Sequence, residues 1–81
     1  MKNEELKDLL YREIEANIDS WELRNILILF KSSGGFQNDA TDILRDIIQH
    51  YRSLGDTKKR DNATELIEFV TGDCSPHARI W

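Results

Sequence analysis

The residues best suited to chemistry lie in one short segment near the end of the chain, residues 73–77. A cysteine three positions before a histidine could act as nucleophile and base, and Asp73 could join Cys74 and His77 as a metal ligand. These side chains are too few for a zinc site, because structural zinc takes four ligands. No second pair of ligands lies nearby, and His50 falls in a different predicted helix. We therefore interpret Cys74 and His77 as structural, and we expect no enzyme activity, no metal and no cofactor.

Phosphate and nucleic-acid binding have little support in the sequence. Gly34 and Gly35 form a glycine-rich turn, but it lacks the G-x-x-x-x-G-K-[ST] pattern of a phosphate-binding loop and no predicted strand precedes it. The only basic cluster, residues 58–60, is typical of a solvated loop or a first helical turn. The chain has 15 acidic against 11 basic residues and a formal net charge of −4, which argues against direct contact with nucleic acid. A basic protein partner fits this charge better.

The cysteine content indicates a reducing compartment. Cys74 is the only cysteine, so the chain cannot form an intramolecular disulfide. The first residues, Met-Lys-Asn-Glu-Glu, lack the apolar core of a signal peptide, and no apolar run approaches the roughly 20 residues of a membrane span. We therefore expect a cytoplasmic protein that does not bind a membrane.

The strongest helical signal runs from Gln37 to Leu54. Its apolar residues recur at spacings that gather them on one side of a helix, in an arc wide enough to contact two or three other helices. These residues are Ala40, Ile43, Leu44, Ile47, Ile48, Tyr51 and Leu54. On the opposite side lie three aspartates, Asp39, Asp42 and Asp46. The segment therefore predicts a central helix with a buried apolar side and an acidic outer stripe.

Three further helices are predicted around this one. The first spans residues 3–16 with Asn3 as its N-cap, and the second begins at the N-cap Asp19, because a glutamate follows three positions later. The last follows a polar stretch at residues 56–62 and ends before a glycine. The sequence thus predicts an all-α fold, a small four-helix bundle forming one domain over residues 1–81. Antiparallel and orthogonal packing both fit this pattern.

Both tryptophans are expected to pack on the bundle. Trp21, in the first turn of the second helix, would close one end of the core. Trp81 lies beyond Pro76, which stops the last helix, so the chain should fold back as an ordered, non-helical tail. That tail would bury Ile80 and Trp81 and bring Arg79 to an acidic helix face. The alternative is a tail that presents Trp81 to a partner, since Trp and Arg are frequent hot spots of interfaces.

Two segments resemble a known group of proteins: the glycine-then-helix pattern of residues 35–44 and the terminal Val-Thr-Gly-Asp-Cys-Ser-Pro-His-Ala-Arg-Ile-Trp, residues 70–81. The group is the small all-helical bacterial immunity proteins of contact-dependent growth inhibition and related polymorphic toxin systems. In those families a short acidic protein binds the toxic C-terminal domain of a large secreted toxin, often an RNase, and blocks it. The resemblance therefore implies a toxin inhibitor whose partner is a cognate toxin domain.

Five residues are candidates for contact with such a partner. The acidic stripe of Asp39, Asp42 and Asp46 comes first, because a nuclease site that holds RNA must be basic, and Arg79 and Trp81 follow. The stripe can also be read as an ordinary solvated helix face. The alternative function is a small adaptor or regulatory module that binds another helical protein through an exposed apolar margin. A small enzyme or a nucleic-acid binder is a third reading, which lacks site residues and positive charge respectively.

The predicted helices account for the core without any ligand, so we expect the protein to fold without metal. Circular dichroism should show the same helical signal before and after addition of a chelator. A large loss of helix on chelation would contradict the metal-free interpretation.

Overall fold

The computed structural model describes all 81 residues, and the protein is all-helical. Its four helices are α1 (Asn3–Glu15), α2 (Ser20–Ser32), α3 (Gln37–Leu54) and α4 (Thr57–Thr71), with no strand. The bounds of α3 are those predicted for the central helix. No helix is both long enough and apolar enough to cross a membrane.

Aspartate caps begin two of the helices. The carboxylate of Asp19 accepts a hydrogen bond from the Glu22 N–H at 3.0 Å, which confirms the predicted cap of α2. Asp56 accepts from the Lys59 N–H at 3.2 Å in the same way. Because of this cap, α4 already begins at Thr57, inside the polar stretch that was expected to precede it.

The start of α1 differs from its prediction. Asn3 is the first helical residue rather than the N-cap, and Lys2 occupies the N-cap position without a side-chain hydrogen bond. The C-terminal ends of α3 and α4 agree with the prediction that a glycine ends each helix. Gly55 and Gly72 both adopt the left-handed backbone conformation there. A residue with a Cβ atom would be strained in that conformation.

α1 and α3 run in the same direction. Lys7 lies 3.4 Å from Asp46 of α3. Further along both helices, at the end of α1, Glu15 accepts a hydrogen bond from the Tyr51 hydroxyl at 2.9 Å. Residue numbers therefore rise together along the two helices.

α2 and α4 also run in the same direction. The Asn62 side chain donates to the Ile18 carbonyl at 2.8 Å, just before α2 begins. Further along both helices, Trp21 meets Phe69 edge-on, with ring centroids 6.0 Å apart.

The pair formed by α1 and α3 runs in the opposite direction to the pair formed by α2 and α4. Gln37, at the start of α3, donates to the carbonyl of Val70 near the end of α4 at 2.8 Å. α3 packs most extensively on α4, α4 also packs on α2, and α1 contacts the other three helices. α2 and α3 make almost no contact with each other. The helices therefore alternate in direction, with α2 and α3 at opposite corners of the molecule.

The core is one cluster of buried apolar side chains drawn from all four helices and residue 80. Its members are Leu6, Leu10, Ile14, Leu23, Leu27, Phe30, Ala40, Ile43, Leu44, Ile47, Tyr51, Ala63, Leu66, Val70 and Ile80. Two expectations about the core were wrong. Leu54 is 65% exposed, because it is the last residue of α3, where the chain turns away. Trp21 is 57% exposed, because it lies on the far side of α2 from Leu23 and Leu27.

The tail, residues 73–81, lies along α2. Ala78 and Ile80 are buried, and their carbonyls accept hydrogen bonds from two cationic side chains of α2. Arg24 donates to Ala78 at 2.8 Å, and Lys31 donates to Ile80 at 2.7 Å. These contacts place the tail on α2 rather than on α3.

A buried tyrosine joins three helices where α3 ends and α4 begins. The fully buried Tyr51 donates to one oxygen of Glu15, whose other oxygen accepts from Lys59 at 3.0 Å. The hydrogen bonds from Lys59 and then Tyr51 lower the pKa of Glu15 below its ordinary value. Burial, and then the bond to Glu15, raise the pKa of Tyr51. The network therefore favours an ionised carboxylate and a neutral phenol.

This network makes stability depend on pH in one direction. The pKa of Glu15 in the folded chain lies below its ordinary 4.5, so its carboxylate stabilises the fold fully above that pH. The contribution disappears as pH falls through the folded pKa. We expect Glu15→Gln to lower the melting temperature near neutral pH, and the gap from wild type to close as pH falls below about 4.5. Thermal melts of both proteins across this range measure the gap.

The matched control is Asp42→Asn, since the side chain of Asp42 is 74% exposed and its nearest cation, Arg45, is 4.0 Å away. Surface pairs of this kind contribute little, so this variant should melt close to wild type near neutral pH. A gap for Glu15→Gln that stays constant with pH would contradict the role assigned to the Glu15 carboxylate.

Candidate protein-binding surfaces

The acidic face is the outward side of α3 formed by Asp39, Asp42 and Asp46. The side chains of Asp42 and Asp46 are 74% and 68% exposed, and Asp39 is half-buried in the first turn of the helix. All three lie on one side of the helix, as the spacing predicted. The residues are thus brought together on the surface of the longest helix.

Two cations partly neutralise this face. Lys7 lies 3.4 Å from Asp46, and Arg45 lies 4.0 Å from Asp42, whereas Asp39 has no cationic side chain within 4.0 Å. Both pairs are largely exposed, and such pairs contribute little to stability and exchange readily with solvent. A cationic partner could therefore displace Lys7 and Arg45 at small cost.

A second surface, which we call the α2–tail surface, is made of aromatic and cationic side chains. It comprises Trp21, Arg24, Lys31, Arg79 and Trp81. The Arg24 guanidinium lies 5.0 Å above the Trp21 ring, and the Lys31 ammonium lies 6.0 Å from the centre of the Trp81 ring. The first contact lies within α2, and the second joins α2 to the tail.

Arg79 and Trp81 occupy different positions in this surface. Trp81 is half-buried and packs at the edge of the core, whereas Arg79 is exposed. The guanidinium of Arg79 lies over Gly72, about 3.0 Å from where a Cβ atom would stand. The expectation that Arg79 meets an acidic helix face was wrong, because no carboxylate lies within 4.0 Å of it. The tail follows α2 instead.

Sequence reasoning missed the exposure of Trp21 and the role of Arg24. The apolar residues of α2 extend almost all the way round the helix, a pattern typical of a largely buried helix. Trp21 nevertheless lies outside the regular stripe of Leu23, Leu27 and Phe30, and that offset was the available signal. Leu29 is likewise 57% exposed.

The cysteine and histidine of the tail do not form a site with other chemical groups. Cys74 is a half-buried free thiol, and His77 is exposed, with its carbonyl 3.4 Å from an Arg24 nitrogen. No group of three or more His, Cys, Asp and Glu side chains is placed to hold a metal ion.

An open polar cleft of about 330 Å³ lies between the start of α2 and the first turns of α4. The Ser20 hydroxyl donates to Glu65 within it, and Asn62 binds the Ile18 carbonyl. The other amide atom of Asn62, Oδ1, is buried without a partner. Two lysines and three carboxylates line the cleft, so no single charge dominates it. These bonds connect α2 to α4 and indicate a structural role.

Comparison with known proteins finds no family model that matches the chain, and no match among curated proteins or solved structures. The structure defines a small all-helical protein with an acidic face on α3 and a second surface of aromatic and cationic side chains on α2 and the tail.

Proposed function

We propose that the chain is an immunity protein, which binds a cognate toxin domain and blocks its active or substrate site. The toxin domain would be basic, of the RNase type, and the inhibitor would act by binding rather than by catalysis, in the bacterial cytoplasm. The observation that carries this proposal is the exposed acidic face of Asp39, Asp42 and Asp46.

Electrostatics support such a partner. A site that holds RNA needs a positive field, so a carboxylate face complements it and speeds association. The face stands on a helix that packs against both α1 and α4, so its backbone is already fixed before binding. A preorganised surface loses less conformational entropy when a partner docks. The lone thiol, Cys74, is consistent with a reducing compartment.

A second candidate function is an adaptor that binds another helical protein. The exposed Trp21 and Leu29 on the outer side of α2 favour it, because the acidic face does not explain them. Large exposed apolar side chains grouped on one element are typical of protein interaction sites.

The two functions differ in what co-expression would show. Under the immunity proposal, the gene protects cells from the toxin domain encoded beside it, and the two purified proteins form a complex. Cells that die despite the chain, with no complex formed, would refute immunity and leave the adaptor.

We also propose that residues 73–81 are an ordered tail that closes the core. Burial of Ile80 supports this, together with the hydrogen bond from its N–H to the Phe69 carbonyl at 3.0 Å. Arg24 and Lys31 hold two further tail carbonyls. A segment with this many partners contributes to the stability of the whole domain.

The acidic face leads to a prediction about association with the toxin. Changing Asp39, Asp42 and Asp46 together to lysine should slow association about tenfold or more at low salt, because favourable long-range attraction becomes repulsion. The decrease of the rate with rising salt should also weaken, because salt then screens repulsion rather than attraction. Surface plasmon resonance at low and high salt measures both, and circular dichroism checks that the variant is folded.

A triple variant with the same change of charge on α1, at Glu4, Glu5 and Asp8, is the matched control. Its association rate should fall much less. If the α1 variant is slowed while the α3 variant binds as wild type does, the toxin contacts α1 and the assignment of the acidic face is wrong.

The tail leads to a prediction about stability. Removing Ile80 and Trp81 should cost roughly 2 kcal/mol or more, the usual value for one buried large apolar side chain. In a domain of this size that loss lowers the melting temperature by about 8 °C or more. Differential scanning calorimetry of the full chain and the shortened chain measures the change.

Arg79→Ala, an exposed position in the same segment, controls for any general effect of altering the tail and should leave the melting temperature almost unchanged. Equal melting of the full and shortened chains would show that the tail does not close the core. Loss of toxin binding without loss of stability would assign the tail to the interface instead.

A further inference from the structure

The α2–tail surface lies on the other side of the molecule from the acidic face. α2 and α3 make almost no contact and stand at opposite corners of the four helices, so their outer sides point apart. The tail follows α2 and extends that side. A partner on the acidic face therefore leaves the α2–tail surface open, and the two surfaces can be tested separately.

Its cations have no carboxylate partner. Six ion pairs occur in the structure, and none includes Arg24, Lys31 or Arg79, although acidic residues outnumber basic ones in the chain. Arg24 and Lys31 donate to neutral backbone carbonyls, at 2.8 and 2.7 Å. Those bonds position both side chains without neutralising their charge, so the surface keeps a local positive field.

Its aromatic groups are the only two tryptophans of the chain. Trp21 is 57% exposed, with Arg24 above its ring and the Phe69 ring against its edge. These contacts hold the indole in one orientation while more than half of it faces solvent. Trp81 is half-buried at the other end of the surface, beside Lys31. Fixed tryptophans beside arginine are the residues that most often dominate protein interfaces.

We propose that the α2–tail surface binds an acidic segment of a second protein. An apolar side chain of that segment packs on the exposed part of Trp21, and its carboxylates lie close to Arg79, Arg24 and Lys31. Charge complementarity selects this occupant, because Arg24 and Lys31 each lie against one indole, Arg79 is exposed in the same tail, and none of the three belongs to an ion pair. The site needs no rearrangement to be filled, since backbone carbonyls already hold two of the cations.

Selection from a random peptide library tests the proposal on the full chain. Peptides of about ten residues span about 33 Å when extended, which matches the longest dimension of the molecule, 32 Å. We expect the enriched peptides to combine Asp or Glu with a large apolar residue. Synthetic examples without tryptophan should change the fluorescence of the protein on binding, because both tryptophans lie in the surface.

Two variants locate the binding. Arg79→Glu should weaken the selected peptides about tenfold or more by replacing attraction with repulsion, and Trp21→Ala should weaken them through loss of the apolar contact. Neither position donates a hydrogen bond to the tail, so both variants should remain folded by circular dichroism. Lys58→Glu, the same charge change at an exposed cation outside this surface, should leave affinity unchanged.

Four results of the binding experiments would overturn the proposal. The first two are failure to enrich any peptide and enrichment of peptides without acidic residues. The third is that Lys58→Glu weakens peptide binding as much as Arg79→Glu does. The fourth is that the protein binds single-stranded poly(U) with the same dependence on Arg79. A second copy of the chain, offering its acidic face, is a distinct occupant. If sedimentation shows that the chain self-associates, and that Arg79→Glu and Asp42→Lys each abolish this self-association, the occupant is a second copy of the chain. That result would reject the separate partner.

Discussion

The apolar side of α3 packs against α4 and α1, and five of its residues, from Ala40 to Tyr51, are buried there. Because these residues occupy one side of a regular helix, burying them forces the opposite side outward. Asp42 and Asp46 are exposed for that reason, and Asp39 is half-buried beside them. The same packing brings the Tyr51 hydroxyl to Glu15 on α1. The position of the acidic face and the polar network at one end of the bundle thus depend on a single hydrophobic contact surface.

The two ends of the bundle are held by different interactions. Where α3 ends and α4 begins, charged and polar side chains connect the helices through Glu15, Tyr51 and Lys59. Where α4 ends, the tail continues along α2, and Arg24 and Lys31 bind its carbonyls. Both arrangements satisfy polar groups that would be costly to leave unpaired at the edge of a small core. Only the first arrangement pairs opposite charges. In the second, the cations bind neutral carbonyls and therefore keep their positive charge.

This difference gives the molecule its two-sided surface. A chain of net charge −4 would be expected to repel acidic partners everywhere, yet Arg24, Lys31 and Arg79 belong to none of the six ion pairs. Under the two proposals, a basic toxin domain would bind the acidic face and an acidic segment would bind the α2–tail surface. Binding on one side would not block the other, because α2 and α3 stand at opposite corners.

The sequence by itself determined the helices and the side of α3 that would be buried. Apolar spacing predicted the bounds of α3, Asp19 predicted the start of α2, and Gly55 predicted the end of α3, because these signals act within a few residues along the chain. It also determined that the three aspartates share one side. Asn3 was misjudged because a capping residue is effective only if the helix starts immediately after it, and α1 starts one position earlier.

Only the tertiary structure decided which helix sides meet and where the tail lies. The apolar residues of α2 extend almost all the way round it, so its sequence did not decide which side would be buried, and packing left Trp21 and Leu29 in solvent. The sequence suggested that the tail would bring Arg79 to an acidic helix face, but Arg24 and Lys31 bind the tail carbonyls on α2. Residues 24 and 78 lie far apart in the chain, so no local pattern reports their contact. The α2–tail surface is therefore a product of the fold, whereas the acidic face was already present in the spacing of three aspartates.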